Sequence, residues 1–171
     1  MTQRIYLIGF MGSGKSTVGK RLALRLKYTF VDMDKAIEEE AGIPVRNIFE
    51  EKGEDEFRRL EHEMVLKTAE MNYVVVSTGG GVPCFFDNMD IINRNGISIY
   101  LQMKSEDLLK RLKGSKYERP LIRDLSTDEL EEYIKEKLRE REPYYLKSKY
   151  IIDGKNPDIK EIVKFVTEEE Q

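Results

Sequence analysis

The chain has 171 residues, 40% of them hydrophobic and 36% charged, which suits one domain at about 150 residues per domain and a core burying roughly 70% of the unfolded surface. Its 29 basic and 32 acidic side chains leave a formal charge of −3, which argues against a dedicated nucleic-acid binder but leaves room for a small anion held by a few arginines. The single cysteine, Cys84, excludes an intrachain disulfide and a multi-thiolate zinc site, and the single histidine, His62, lies in a charged helical stretch where an exposed surface position is expected.

The first apolar run, Ile5-Tyr6-Leu7-Ile8, stops at Gly9. It is too short for a signal peptide or a membrane span and suits a buried strand, so a reducing, cytoplasmic home is expected. Val18, Leu22 and Leu26 then recur at the spacing of an amphipathic helix. Thr29-Phe30-Val31 predicts a second strand, ending at Asp32, with a helix over Lys35 to Ala41. Glu54 to Met71 contains no Gly or Pro and predicts a long helix. Tyr73 to Val76, Ile97 to Leu101 and Tyr150-Ile151-Ile152 predict three more strands. Ser105 is expected to cap one helix, and Ser126-Thr127-Asp128-Glu129 is a capping box opening another that ends at Arg141-Glu142-Pro143-Tyr144. Asn156-Pro157 supplies a cap and a first-turn proline for the last helix. Strands alternating with helices predict an α/β fold with a parallel sheet covered on both faces, and in such sheets ligands sit beyond the carboxyl ends of the strands.

The residues that follow the strands carry the chemistry. Gly9-Phe10-Met11-Gly12-Ser13-Gly14-Lys15-Ser16 fits G-x-x-x-x-G-K-[ST] between a predicted strand and a predicted helix. Its glycines turn backbone N–H groups toward phosphate oxygens, and the positive end of the following helix points at the same anion. Lys15 would reach the β- and γ-phosphates, and the Ser16 hydroxyl would ligate Mg²⁺. No [NT]-K-x-D motif occurs, which argues against a GTPase. Asp32 and Asp34, two apart in an extended stretch, would face one side, one serving Mg²⁺ and the other an acceptor hydroxyl; the plain alternative is that one of them only caps the next helix. Gly79-Gly80-Gly81 costs backbone entropy without packing, which suits close approach of the backbone to a ligand. Arg58 and Arg59 point about 100° apart on a helix, so at most one can face a given site. The polar stretch Lys113 to Leu125, broken at Pro120, is either a solvated loop or a closing lid.

Taken in order, the phosphate loop, Asp32-x-Asp34, Phe57-Arg58-Arg59-x-Glu61, Gly79-Gly80-Gly81, Arg119-Pro120-Leu121 and Arg141-x-Pro143-x-Tyr145 resemble the shikimate kinases over nearly the whole chain. The resemblance implies a three-layer α/β sandwich on a five-stranded parallel sheet, the P-loop NTPase fold in its nucleoside monophosphate kinase-like form with a mobile lid. It implies a single kinase domain over 1–171, with the phosphate loop at 9–17, a shikimate-binding region at about 34–61 and a lid at about 113–125. The implied reaction moves the γ-phosphoryl group of ATP to the 3-hydroxyl of shikimate, in aromatic amino-acid biosynthesis. By the same resemblance ATP is bound by Gly12, Ser13, Gly14, Lys15, Ser16 and Thr17, with Arg111 and Pro157 near adenine and Arg119 swinging in with the lid. Shikimate is bound by Asp34, Arg58, Arg141 and the backbone at Gly79, Gly80 and Gly81; Lys15, Asp34 and Arg119 are catalytic. Ser16 would hold Mg²⁺, with Asp32 supporting it through water. The expected partners are shikimate and ATP, with no nucleic acid, no membrane and a monomeric chain. A gluconate or nucleotide kinase on the same fold, or an ATP-binding protein that has lost catalysis, are the alternatives.

Overall fold

The computed structural model describes residues 3–114 and 122–168. Five strands, β1 (Arg4–Ile8), β2 (Thr29–Asp32), β3 (Val74–Ser77), β4 (Ile97–Gln102) and β5 (Tyr150–Asp153), form one sheet in the order β2-β3-β1-β4-β5, with every neighbouring pair parallel. All five strands coincide with the apolar runs that predicted them. In β1, β3 and β4 the runs are nearly continuous because side chains on both faces are buried, whereas the edge strands β2 and β5 contain no fully buried residue. In β1, Ile5 and Leu7 pack on one face beside Val18 and Leu22, while Tyr6 and Ile8 pack on the other.

The first face is covered by α1 (Lys15–Leu26) and α8 (Ile159–Glu168). The second carries α2 (Met33–Ala41), α3 (Val45–Lys52), α4 (Glu54–Ala69), α5 (Asn88–Asn95), α6 (Ser105–Lys113) and α7 (Thr127–Tyr145). No described helix is long and apolar enough to cross a membrane.

Several boundaries differ from the sequence expectation. Lys104, not Ser105, is the N-cap of α6, and Ser105 is its first helical residue. The capping box at Ser126 forms as expected: the Ser126 hydroxyl accepts from the Glu129 N–H, and the Glu129 carboxylate accepts from the Ser126 N–H, both at 3.2 Å. The α7 helix does not stop at Pro143 but continues to Tyr145, because a proline in the last turn removes only one late hydrogen bond while Tyr145 gains a fully buried position. The side chain that caps α8 is Asp158, accepting from the Lys160 N–H at 2.8 Å, rather than Asn156. Two short helices, α3 and α5, carry no strong start signal of their own; each is held through buried isoleucines, Ile48 in one and Ile91 and Ile92 in the other.

Candidate active site

The parallel sheet brings the ends of β1, β2 and β3 side by side, so the segments after them share one edge of the molecule. The turn after β1 enters α1 through Gly12 (φ 80°) and Gly14 (φ 90°), backbone that L side chains rarely adopt. Gly14 is the N-cap of α1, with no side-chain cap and no acidic residue in the first turn. The positive end of α1 therefore has no anionic side chain of its own in that turn. Ser13 is buried, and its hydroxyl has no hydrogen-bond partner among the described residues. Lys15 is nearly buried, its ammonium donating to the carbonyls of Gly9 at 2.7 Å and Phe10 at 2.9 Å. Thr17 follows on the exposed side of α1.

Asp32 answers both alternatives raised by its position. One oxygen accepts from the Lys35 N–H at 3.3 Å and caps α2; the other accepts from the Ser16 hydroxyl at 2.9 Å. Ser77, buried at the end of β3, lies 3.2 Å from the same Ser16 hydroxyl. Its signal in the sequence is a polar residue closing an apolar strand. Ser16, Asp32 and Ser77 are hard oxygen donors, which fits Mg²⁺, and they are few enough to leave coordination positions for water and phosphate. Among the described residues no cluster of three or more His, Cys, Asp or Glu side chains could hold a metal.

Asp34 is not extended beside Asp32, as its spacing predicted. It sits in the first turn of α2, since the helix starts at Met33 immediately after the strand. The residue is exposed, yet surrounding protein strips part of the carboxylate's hydration and raises its pKa; Asp32 adds to the rise, and Lys15 and Arg58 oppose it. Open access to water tempers that rise.

The Gly79-Gly80-Gly81 turn after β3 is where the remaining groups meet. A Cβ on Gly79 would lie 2.7 Å from a Glu61 carboxylate oxygen and 3.2 Å from an Asp34 oxygen. A Cβ on Gly80 would lie 3.2 Å from Arg141 Nη1, and one on Gly81 would overlap the Arg58 guanidinium, 2.8 Å from Cζ. The glycines thus have a reason the sequence did not show: the space beside them is filled by the protein's own charged side chains.

Of the adjacent pair on α4, Arg58 turns inward and is buried, while Arg59 is exposed and pairs with Glu56 and Glu63. Arg58 donates to Glu61 at 2.5 Å and to Glu54 at 3.2 Å, and its guanidinium lies 4.3 Å above the Phe85 ring. Arg141, from α7, lies 5.6 Å from the centre of the Phe10 ring. Arg58 and Arg141 line one cleft of about 250 Å³ together with Cys84, Phe85, Glu54 and Lys137. A larger open depression between α1 and α8, about 500 Å³, contains none of these residues.

Glu61, noted in the sequence only as part of a motif, is 1% exposed. Burial pushes its pKa up to about 7 even though Arg58 pulls it down. The loss of hydration outweighs the ion pair, as is common for buried pairs. His62 departs from expectation: it is half-buried, with Nδ1 2.7 Å from Asn88 Oδ1 and its ring 4.9 Å from Phe86. Asn88 Nδ2 donates to the Val82 carbonyl at 2.9 Å, which turns its oxygen to His62, so His62 Nδ1 carries the proton.

On the opposite side of the phosphate loop, Arg111 donates to the carbonyls of Gly12 and Gly154 at 3.3 Å and Lys155 at 3.2 Å. It ties the loop to the segment before α8, where Pro157 lies. Arg119, with Pro120 and Leu121, lies outside the described residues, as does most of the candidate lid.

The shikimate kinase family model matches residues 11–170 of the chain. A shikimate kinase of Parabacteroides distasonis is 43% identical over 152 residues, 89% of this chain and 88% of that one. The crystal structure of a shikimate kinase from Bacteroides thetaiotaomicron superposes with a TM-score of 0.91 at 39% identity, covering 98% of both chains. The structure of an Acinetobacter baumannii shikimate kinase in complex with shikimate superposes with a TM-score of 0.88 at 31% identity, over 99% of this chain and 95% of that one.

Proposed function

The chain belongs to the shikimate kinase family and transfers the γ-phosphoryl group of ATP to the 3-hydroxyl of shikimate, and we propose the following division of labour among its residues. At the nucleotide end, Lys15 leaves the Gly9 and Phe10 carbonyls to contact the β- and γ-phosphates, while backbone N–H groups from Gly12 to Thr17 and the Ser13 hydroxyl surround them. Arg111 and Pro157 border the adenine. Ser16 would hold Mg²⁺, with Asp32 and Ser77 supporting it, and the ion would supply positive charge to the nucleotide phosphates.

At the acceptor end, Arg58 and Arg141 hold the shikimate carboxylate; a planar guanidinium donates two parallel hydrogen bonds to such a group. Asp34 orients the 3-hydroxyl. The hydroxyl oxygen forms a bond to the γ-phosphorus, its proton passes to the Asp34 carboxylate, and the bond between that phosphorus and the bridging oxygen of ADP breaks. A carboxylate with a raised pKa is the better proton acceptor at neutral pH. Backbone at Gly79, Gly80 and Gly81 lines the acceptor site. Arg119, with the lid at about 113–125, closes on the transferring group and keeps water out. The protein works as a single domain and a monomer in the cytoplasm, with the shikimate-binding region at about 34–61.

One observation supports this reading above the rest: Asp34, Arg58 and Arg141 all converge on the single turn Gly79-Gly80-Gly81. The test is ADP release from ATP and Mg²⁺ with shikimate, run beside gluconate, AMP and no acceptor. Release only with shikimate is expected. Release with another acceptor would overturn the roles given to Asp34, Arg58 and Arg141 while leaving the phosphate site intact.

A further inference from the structure

Tyr145 has no role in the scheme above, yet its side chain is tied directly to the glycine turn. It ends α7, is fully buried, and packs its ring 5.2 Å from that of Tyr100. Its hydroxyl donates to the Gly80 carbonyl at 2.6 Å, across a sequence separation of 65 residues. Arg141 precedes it by one helical turn, so the two side chains share a face of α7. Arg141 Nη1 lies 3.2 Å from where a Cβ on Gly80 would be, so the guanidinium and the phenol meet at the same glycine.

The chemistry of the three groups leaves one arrangement. A carbonyl only accepts and a guanidinium only donates, whereas a hydroxyl does both. The phenol hydrogen goes to Gly80, which leaves the phenol oxygen as the acceptor available to a guanidinium beside that glycine. Burial raises the pKa of Tyr145, so the phenol keeps its proton at neutral pH and remains a donor. A buried ring needed only to fill space would be served by phenylalanine, without a polar atom to satisfy.

We propose that Tyr145 is a positioning residue for the acceptor: its hydroxyl fixes the Arg141 guanidinium and the Gly80 carbonyl relative to each other and thereby sets the affinity for the substrate carboxylate. This rests on the assignment of Arg141 to that carboxylate. Tyr145 touches neither substrate nor phosphate in this role. Without the hydroxyl, the Gly80 carbonyl loses its donor and the guanidinium loses the acceptor that restrains it. The scaffold keeps its aromatic packing, because the Phe ring occupies the same space.

The experiment is steady-state kinetics of Tyr145→Phe in the full chain. The KM for shikimate should rise about 5–30-fold, the factor that follows from losing one or two buried hydrogen bonds, with kcat and the KM for ATP within about twofold. An acceptor analogue with hydroxymethyl in place of the carboxylate provides the second readout. As a competitor of shikimate it should bind wild type and Tyr145→Phe equally, since it makes no ion pair with Arg141. Unchanged shikimate KM, equal weakening of both acceptors, loss of ATP affinity or a variant that does not fold would each overturn the proposal. Arg141→Ala, measured in parallel, separates this proposal from its premise. If it leaves shikimate KM unchanged, the assignment of Arg141 falls and the proposal with it. If it raises that KM while Tyr145→Phe does not, the proposal alone falls.

Discussion

At the phosphate end the chain supplies nearly everything from one stretch, Gly9 to Ser16, and much of it as backbone. At the acceptor end the groups come from α2, α4 and α7 and meet only at the Gly79–Gly81 turn. The difference teaches where redundancy lies. A cradle of many N–H groups and a helix terminus shares its work among equivalent donors, so one of its side chains matters most: the single cation, Lys15. The acceptor end has few groups, each with a distinct partner, and there a substitution damages a neighbour as well as the substrate contact.

The largest expected effect tests the first half of that comparison. Lys15→Ala should lower kcat on the order of 10³–10⁵, the range for removing a cation from phosphoryl transfer. Single-turnover phosphorylation of shikimate measures it, and retained kcat would remove Lys15 from the mechanism.

The two arginines sharpen the second half. Both Arg58→Ala and Arg141→Ala should raise the shikimate KM with little change in the KM for ATP. Only Arg58→Ala should also destabilise the fold, by about 1–3 kcal/mol, because it removes the buried hydrogen-bond partner of Glu61, which then takes up a proton rather than standing as a bare charge. Urea denaturation of the two variants decides it: equal stabilities would mean that Glu61 does not depend on Arg58.

The same contrast governs what was legible in the sequence. The phosphate loop is contiguous, and its spacing alone gives the chemistry, the flanking strand and the flanking helix. The inner strands β1, β3 and β4 were legible because burial on both faces makes them unbroken apolar runs, and the half-buried edge strands β2 and β5 because their short runs are rich in β-branched and aromatic residues. The acceptor end depends on contacts such as Arg58 to the Gly81 turn, which no local pattern encodes; only the whole ordered set of motifs, through family resemblance, brought those residues together. His62 and Asn88 lie 26 residues apart, so the partner that draws the histidine inward is invisible locally. Ser105 and Pro143 mislead for a different reason: a cap residue and a helix breaker are preferences worth about 1–3 kcal/mol, and at Pro143 the buried Tyr145 outweighs the local preference.

The smallest effect concerns Glu61 and pH. Burial pushes its pKa up to about 7 in the folded protein from an ordinary 4.5, so between those values the folded state holds a proton that the unfolded chain has released. By linkage, this group's contribution to stability is fully present below about pH 4.5 and is lost as the pH rises through 7. At 1.36 kcal/mol per unit, the span corresponds to about 3 kcal/mol. Glu61→Gln cannot titrate, so the stability of wild type minus that of the variant should fall steadily between pH 5 and pH 8. The slope, not the absolute offset, carries the test, because glutamine also changes the hydrogen bond to Arg58. Groups remote from Glu61 titrate alike in both proteins and cancel in the difference; Asp34, whose charge adds to the rise at Glu61, does not. Parallel stability profiles would mean that Arg58 holds Glu61 ionised throughout. The acceptor end would then tolerate a buried charge as readily as the phosphate end tolerates Lys15, and the contrast between the two would narrow to the number of elements that build them.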